Sequence, residues 1–149
     1  ELDVPVIVGG AAGYTPALHL MRTGAAGVLV GFGGGATSTT RRALGIHSPM
    51  ASAISDVAAA RRDYMDESGG RYVHVIADGG MGSSGDIVKA IAMGADAVML
   101  GRAALYGLAA GGEAGVAHAL SLLRVEMERA MTLLGCHTLD ELGPHLIRA

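Results

Sequence analysis

The sequence is poor in cysteine and has no long apolar run. Its single thiol, Cys136, excludes a disulfide within the chain and is typical of a protein from a reducing compartment. We therefore expect a cytoplasmic location. Mean hydropathy is +0.41, yet no apolar run reaches the roughly 18–20 residues that a membrane-spanning helix needs. We expect no membrane partner.

A strong charge of either sign is also missing. The chain has 11 Lys and Arg against 14 Asp and Glu, a net charge of −3, which does not favour a nucleic-acid partner. No charged segment followed by an apolar one precedes residues 4–8, which already resemble a strand. We therefore expect no signal peptide and a chain that starts inside a fold.

Glycine is abundant instead, and it follows short apolar runs. Such runs alternate with segments of helical spacing, which predicts four βα units. The predicted strands are residues 4–8, 27–30, 72–77 and 97–100. The predicted helices are residues 14–22, 50–65, 87–93 and a long last helix with an apolar stripe over 116–134, followed by a short helix within 139–147.

Strands that alternate with helices imply parallel, right-handed crossovers, in either a doubly wound sheet or a barrel. Residues 9–13 lack the glycine spacing of a dinucleotide-binding turn. Because the carboxyl ends of barrel strands share one mouth, glycines at every strand end favour the barrel. We predict an α/β fold, the C-terminal half of a (β/α)8 TIM barrel, as one domain over 1–149. Closure then needs a missing N-terminal half or a second copy, so we expect a homo-oligomer or a partner half-barrel. Closure should bury six valines, whichever face each takes: Val6, Val8, Val28, Val30, Val75 and Val98.

The ends of the last two predicted strands carry residues suited to a phosphate. Asp78, Gly79 and Gly80 end one strand, and Met99, Gly101 and Arg102 end the next. Glycine amides can converge on an anion, a following helix adds positive potential, and an arginine adds a charge-assisted contact. An aspartate can accept hydrogen bonds from sugar hydroxyls. The alternative is that these are turn glycines and a capping aspartate.

A second candidate is the glycine- and hydroxyl-rich loop over residues 31–42, which continues to Pro49. Long loops inside compact domains are usually functional. Its carbonyls, those of Gly33 and Gly35 among them, could bind a monovalent cation, and its hydroxyls could orient a substrate. The alternative is a flexible turn. His47 is the one histidine that we would test, whereas Cys136 lies far from any predicted strand end.

Residues 1 to about 101 resemble the IMP dehydrogenase/GMP reductase family, nearest to its IMP-dehydrogenase-related branch. The likeness rests on residues 4–10, 31–42 and 75–100. It implies a purine nucleotide, NAD(P) and K+, with the family's catalytic cysteine replaced by Ser38 and its phosphate-binding serine by Ala36. The matching catalytic positions are Ser38, Thr40 and Arg41; the matching ligand positions are Asp78 for ribose, Gly79, Gly80 and Gly101 for phosphate, and Arg102 in place of a serine. Serine is a far weaker nucleophile than a thiol unless a base activates it, so the implied activity is impaired.

Residues from about 97 to 149 resemble a different family, the FMN-dependent α-hydroxy-acid oxidases and dehydrogenases. The likeness rests on Gly101-Arg102, on residues 105–116 and on residues 131–136. It implies FMN, whose phosphate would lie on Asp78-Gly79-Gly80 and Gly101-Arg102. The family's His-Gly-Gly-Arg segment and flavin-contacting lysine are absent at the expected places. Three hypotheses therefore stand: a purine-nucleotide oxidoreductase, an FMN-dependent α-hydroxy-acid oxidoreductase, and a non-catalytic half-barrel. The similarity changes near 97–102.

Overall fold

The computed structural model describes residues 3–35 and 38–147. Within them, four parallel strands alternate with helices, and two 3-10 turns close the described chain. In chain order the elements are β1 Ile7–Ala11, α1 Tyr14–Arg22, β2 Gly27–Val30, α2 Thr39–Leu44, α3 Met50–Ser68, β3 His74–Asp78, α4 Ser84–Ala92, β4 Ala97–Met99, α5 Arg102–Leu134 and the 3-10 turns Leu139–Glu141 and Pro144–Leu146.

The strand order in the sheet follows the chain: β1-β2-β3-β4, with every pair parallel. A doubly wound sheet reverses direction at a switch point, and this sheet does not. Helix α1 packs against α3, α3 against α4, and α4 against α5, so the helices form one layer outside the sheet. This arrangement confirms the predicted α/β half of a TIM barrel.

The helix-facing side of the two central strands is covered within this chain. Val28, Val30 and Val75 are fully buried because α1 and α3 cover β2 and β3. The expectation that these three valines need barrel closure is therefore wrong. The side chains that remain uncovered alternate with them and lie on the opposite face: Ile7 is 53% exposed and Met99 is 47% exposed.

Strand β1 begins later than predicted and does not end at its glycines. It runs through Gly9 and Gly10 to Ala11, with a bulge between Gly9 and Ala11. A Cβ on Gly9 would lie 2.5 Å from the Cβ of Leu29, and one on Gly10 would collide with the carbonyl oxygen of Gly31. These glycines therefore allow β1 and β2 to approach closely, rather than turning the chain.

The loop after β2 contains a helix that the sequence pattern did not predict. Helix α2 covers Thr39–Leu44 and ends at Gly45, whose φ of +69° suits glycine. The last helix also starts earlier than predicted and is broken by non-helical backbone at Gly111 and Gly112. A Cβ on Gly107 would lie 2.6 Å from the carbonyl oxygen of Gly115, so the two halves of α5 fold back on one another.

The carboxyl-terminal segment packs on the outside of the barrel. Met131 and Cys136 are buried with Val88 of α4 and with Leu142. The predicted helix within 139–147 is instead two 3-10 turns, since Gly143 and Pro144 interrupt it. Cys136 is thus a packing residue between α4 and the end of the chain's described part. No helix in residues 3–35 and 38–147 has both the length and the hydropathy of a membrane-spanning segment.

A polar network ties the amino ends of β3 and β4 to α3. The Asp96 carboxylate accepts hydrogen bonds from the Arg61 guanidinium at 2.6 Å, the Val75 amide at 2.7 Å and the Tyr72 hydroxyl. Arg61 also donates to the carbonyl oxygen of Gly94 at 3.1 Å and lies over the Tyr72 ring. Partial burial, and then donation to Asp96, raise the pKa of Tyr72, which keeps this hydroxyl a donor.

Candidate functional site

A cavity of about 220 Å³ opens where β3 and β4 end. Parallel strands of a barrel end at the same mouth, so residues that follow β3 meet residues that follow β4. All six residues predicted to bind a phosphate ligand lie in this cavity, together with four others. The lining is Gly35, Asp78, Gly79, Gly80, Met81, Met99, Leu100, Gly101, Arg102 and Leu105.

Two successive glycines shape the β3 side of the cavity. Gly79 and Gly80 have φ values of +87° and +76°, a backbone conformation that side-chain-bearing residues rarely adopt. A Cβ on Gly79 would lie 3.5 Å from the amide nitrogen of Gly35, and one on Gly34 would lie 3.8 Å from the amide nitrogen of Gly80. The loop after β2 therefore packs backbone to backbone against the turn after β3.

The β4 side is formed by the start of helix α5. Gly101 is the N-cap of this helix and Arg102 is its first residue. A Cβ on Gly101 would meet no atom within 4 Å, so this part of the cavity is open. The unpaired amides at a helix start carry partial positive charge, and the exposed guanidinium of Arg102 adds a full one. This side of the cavity is suited to an anion.

The N-terminus of α4 is already occupied by its own side chain. The Asp86 carboxylate accepts hydrogen bonds from the Gly82 amide at 3.1 Å, the Ser83 amide at 3.0 Å and the Ser83 hydroxyl at 2.9 Å. Ser83 and Asp86 form a capping box, and the Ser83 hydrogen bond lowers the pKa of Asp86. The Asp86 carboxylate therefore offsets part of the positive potential that the sequence pattern assigned to the helix after β3. The glycine turn and the start of α5 remain as the anion-facing groups.

The predicted catalytic residues lie in the loop after β2, beside the cavity rather than in its lining. Ser38 precedes α2, and its amide donates to the carbonyl oxygen of Gly35 at 3.1 Å. Thr40 and Arg41 lie in α2. Ala36 is outside the described residues. His47 is exposed and follows this helix.

The two glycines predicted to bind a cation are placed differently. Gly35 lines the cavity. Gly33 is buried against the segment after α2, where its added Cβ would lie 2.6 Å from the carbonyl oxygen of Ile46 and 3.1 Å from the Cβ of His47. Gly35 thus contributes to the wall of this cavity, a role that the sequence pattern did not indicate.

Sequence reasoning also missed the apolar wall of the cavity. Met81, Leu100 and Leu105 join Met99 there. Leu105 comes three residues after Arg102, so the two share a helix face once α5 begins at Arg102. The sequence pattern did not place Leu105 on a helix, because the apolar stripe of α5 becomes regular only after the break at Gly111 and Gly112.

The parallel sheet, the outer helix layer and a cavity at the strand ends define half of a (β/α)8 barrel. Residues 1–149 match the family model for FMN-dependent dehydrogenase, and the chain belongs to this family. It is 65% identical over 102 residues, 68% of its length, to an uncharacterized oxidoreductase of Mycolicibacterium smegmatis. It is 40% identical over 145 residues, 95% of its length, to an L-lactate dehydrogenase of Chromohalobacter salexigens.

Solved structures of the other resembled family are similar too. The chain shares 60% identity and a TM-score of 0.66 with an IMP dehydrogenase/GMP reductase-like protein from Corynebacterium glutamicum, over 78% of this chain and 30% of that one. It shares 33% identity and a TM-score of 0.77 with a GMP reductase from Trypanosoma brucei in complex with guanosine 5'-triphosphate, over 94% of this chain and 31% of that one. Both predicted resemblances are confirmed. The chain spans 27% of the length of the first curated relative and 32% of the second.

Proposed function

We propose that this chain is the phosphate-holding half of an oxidoreductase barrel and that its cavity binds the phosphate of FMN. The observation that carries the proposal is the convergence of Asp78, Gly79, Gly80, Gly101 and Arg102 on one cavity. They come from two strand ends that are more than 20 residues apart in the chain. The family model favours FMN among ligands that carry a phosphate.

The residues present fit the charge and shape of a phosphomonoester. The absence of side chains at Gly79, Gly80 and Gly101 lets an anion approach the backbone amides. Arg102 supplies the charge that neutralises it, in a geometry suited to phosphate oxygens. Asp78 is exposed at the mouth and would accept hydrogen bonds from ribityl hydroxyls. Bound FMN would supply the redox centre, while Met99 and Leu105 would exclude water from beside it.

The residues that line the cavity do not include a group that could oxidise a hydroxy acid. That reaction needs a base to remove the substrate proton, and the glycine-rich loop after β2 stands where the family's His-Gly-Gly-Arg segment would be. We therefore propose flavin binding for this half, with the remaining catalytic groups outside it.

A purine nucleotide is the second candidate, favoured by the TM-score of 0.77 with a GMP reductase. A nucleoside monophosphate carries the same phosphomonoester, and Asp78 would then face ribose. If the ligand is a purine nucleotide, NAD(P) would exchange the hydride with it. Ser38, Thr40 and Arg41 would lie near the purine ring, and K+ would bind carbonyl oxygens near Gly33 and Gly35. The weaker serine nucleophile would make such turnover slow.

The test compares ligands with and without their phosphate. The 149-residue chain is titrated with FMN and riboflavin by flavin fluorescence, and with GMP, IMP and guanosine by thermal shift. We expect FMN to bind at least about 10-fold more tightly than riboflavin, since a charge-assisted contact contributes about 1.5–3 kcal/mol. Stabilisation by GMP or IMP, with no response to FMN, would favour the second candidate.

Matched variants locate the site. Arg102→Gln should weaken FMN binding roughly 10- to 100-fold by removing the charged donor. Arg129→Gln, on the same helix but outside the cavity lining, should leave binding unchanged. Equal binding of FMN to both variants, or no ligand response in the parent chain, would overturn the proposal.

A further inference from the structure

Gly35 lines the candidate cavity although it follows β2 and not one of the two strands that frame the cavity. A Cβ on Gly79 would lie 3.5 Å from the Gly35 amide nitrogen, so the loop after β2 reaches the turn after β3. The groups assigned to the phosphate so far follow β3 and β4. Gly35 brings the backbone of a third, neighbouring strand end to the same cavity.

Nothing in the described part of the chain requires a glycine at position 35. Gly79 and Gly80 need glycine because their φ values are positive, whereas Gly35 lies outside this left-handed region. A Cβ on Gly35 would meet no atom within 4 Å. Gly33 is different, since its added Cβ would lie 2.6 Å from the carbonyl oxygen of Ile46. The backbone at position 35 is therefore bare towards open space, on the wall of a cavity.

The amide of Gly35 is a hydrogen-bond donor that the loop does not use. The carbonyl oxygen of Gly35 accepts a hydrogen bond from the Ser38 amide at 3.1 Å, which closes a turn within the loop. The Gly35 amide itself donates to no backbone acceptor in residues 3–35 and 38–147. An unpaired backbone N–H beside a concave surface can donate to a bound anion. Gly80 contributes a second amide at the same contact, because a Cβ on Gly34 would lie 3.8 Å from the Gly80 nitrogen.

We propose that Gly35 is a specificity-determining residue of the phosphate site. The phosphate group of the ligand lies against its bare backbone and accepts a hydrogen bond from its amide. This inference rests on the proposed function, because it needs a phosphomonoester in the cavity. It adds a donor from the loop after β2 to the glycine turn after β3 and to Arg102. FMN and a nucleoside monophosphate carry the same phosphomonoester, so the role of Gly35 is the same for both.

Three substitutions at position 35 test this role. Gly35→Ala fills the space with one methyl group and keeps the amide. Gly35→Asn and Gly35→Asp add side chains of nearly equal size, and only the second adds a negative charge. Since a Cβ here meets no neighbouring atom, all three variants should keep the helical circular dichroism of the parent. Their urea midpoints should be unchanged or raised, because any side chain restricts the unfolded chain more than glycine does.

Flavin fluorescence measures the binding of FMN and of riboflavin to each variant. We expect Gly35→Ala to weaken FMN binding at least about 10-fold by crowding the phosphate, and to leave riboflavin binding unchanged. We expect Gly35→Asp to bind FMN at least about 10-fold more weakly than Gly35→Asn, because the carboxylate repels the phosphate in a partly closed site. Riboflavin has no phosphate and should not distinguish these two variants. If the parent responds to GMP and not to FMN, GMP and guanosine take the same places.

Three results would overturn the inference, and they differ in what else they overturn. If all three variants bind FMN as tightly as the parent while Arg102→Gln binds it more weakly, the phosphate site stands and Gly35 is not part of it. If Gly35→Ala lowers the urea midpoint and weakens FMN and riboflavin equally, the glycine serves the packing of the loop. If the parent binds FMN no more tightly than riboflavin, and GMP no more tightly than guanosine, the proposed function is wrong and this inference with it.

Discussion

The Asp96 network allows a sharp prediction about what holds the half-barrel together. Its carboxylate is 26% exposed and its Arg61 partner is 13% exposed. Asp96→Ala removes the acceptor of the Val75 amide, in a strand residue that is fully buried, and leaves a largely buried guanidinium without its counter-charge. An orphaned amide costs about 1–3 kcal/mol and an orphaned buried charge more.

Water reaches part of this network, so we expect a loss of about 3 kcal/mol in the free energy of unfolding, at the lower end of the cost of removing one partner of a buried ion pair. For a chain of this size that is roughly 10 °C in Tm. Asp96→Asn keeps an acceptor for the Val75 amide and should lose about half as much. Urea unfolding followed by circular dichroism measures both values.

A second arginine–carboxylate pair provides the matched control. Arg22 and Glu67 join α1 to α3 through two hydrogen bonds at 2.7 and 2.8 Å, yet both side chains are 47% exposed. Glu67→Ala should destabilise far less than Asp96→Ala, because solvent screens the pair and replaces its partners. Equal losses for the two variants would refute the claim that burial of the network gives it its strength.

Three further predictions follow from other positions. The capping contacts of Asp86 lower the pKa of its carboxyl group. The contribution of this carboxylate to the free energy of unfolding is therefore present above about pH 4 and is lost as the pH falls through the folded pKa. Asp86→Asn should reduce the fall in the free energy of unfolding at acid pH, measured by urea unfolding across a pH series. Ser38→Cys should raise any NAD(P)H-linked turnover of IMP or GMP, followed by absorbance, since a thiol is the better nucleophile; no gain in a nucleotide-binding variant would count against that activity. Gly94→Ala should cost about 1–3 kcal/mol in urea, because its Cβ would lie 2.7 Å from that of Ala58 at a φ of +110°; an unchanged midpoint would contradict this packing.

The sequence pattern predicted the elements whose signal is local. Helix α1 and strand β2 have the predicted bounds, since helical spacing and a short apolar run closed by glycines can both be recognised without tertiary information. Strand β1 was predicted too early because Val4 and Val6 are apolar. Its true span depends on pairing with β2, which begins at Ile7 opposite Gly27.

In the candidate site, too, the sequence predicted what depends on topology and missed what depends on tertiary contacts. Glycines that follow neighbouring strands can be assigned to one mouth from topology, and all six predicted ligand residues lie there. Gly35 could not be assigned to that wall, because its place depends on backbone contact between two loops. Leu105 could not be assigned either, because the break at Gly111 and Gly112 obscures the start of α5.

The cavity lining has a consequence for how such proteins diverge. Within the described part of the chain, every residue that lines the cavity falls in one continuous stretch, from Gly35 to Leu105, so a single genetic exchange would transfer all of these residues together. Residues that select the substrate could then change on other strands while the proposed phosphate site is inherited unchanged. Similarity of one short chain both to lactate dehydrogenases and to GMP reductases is what such inheritance would leave behind.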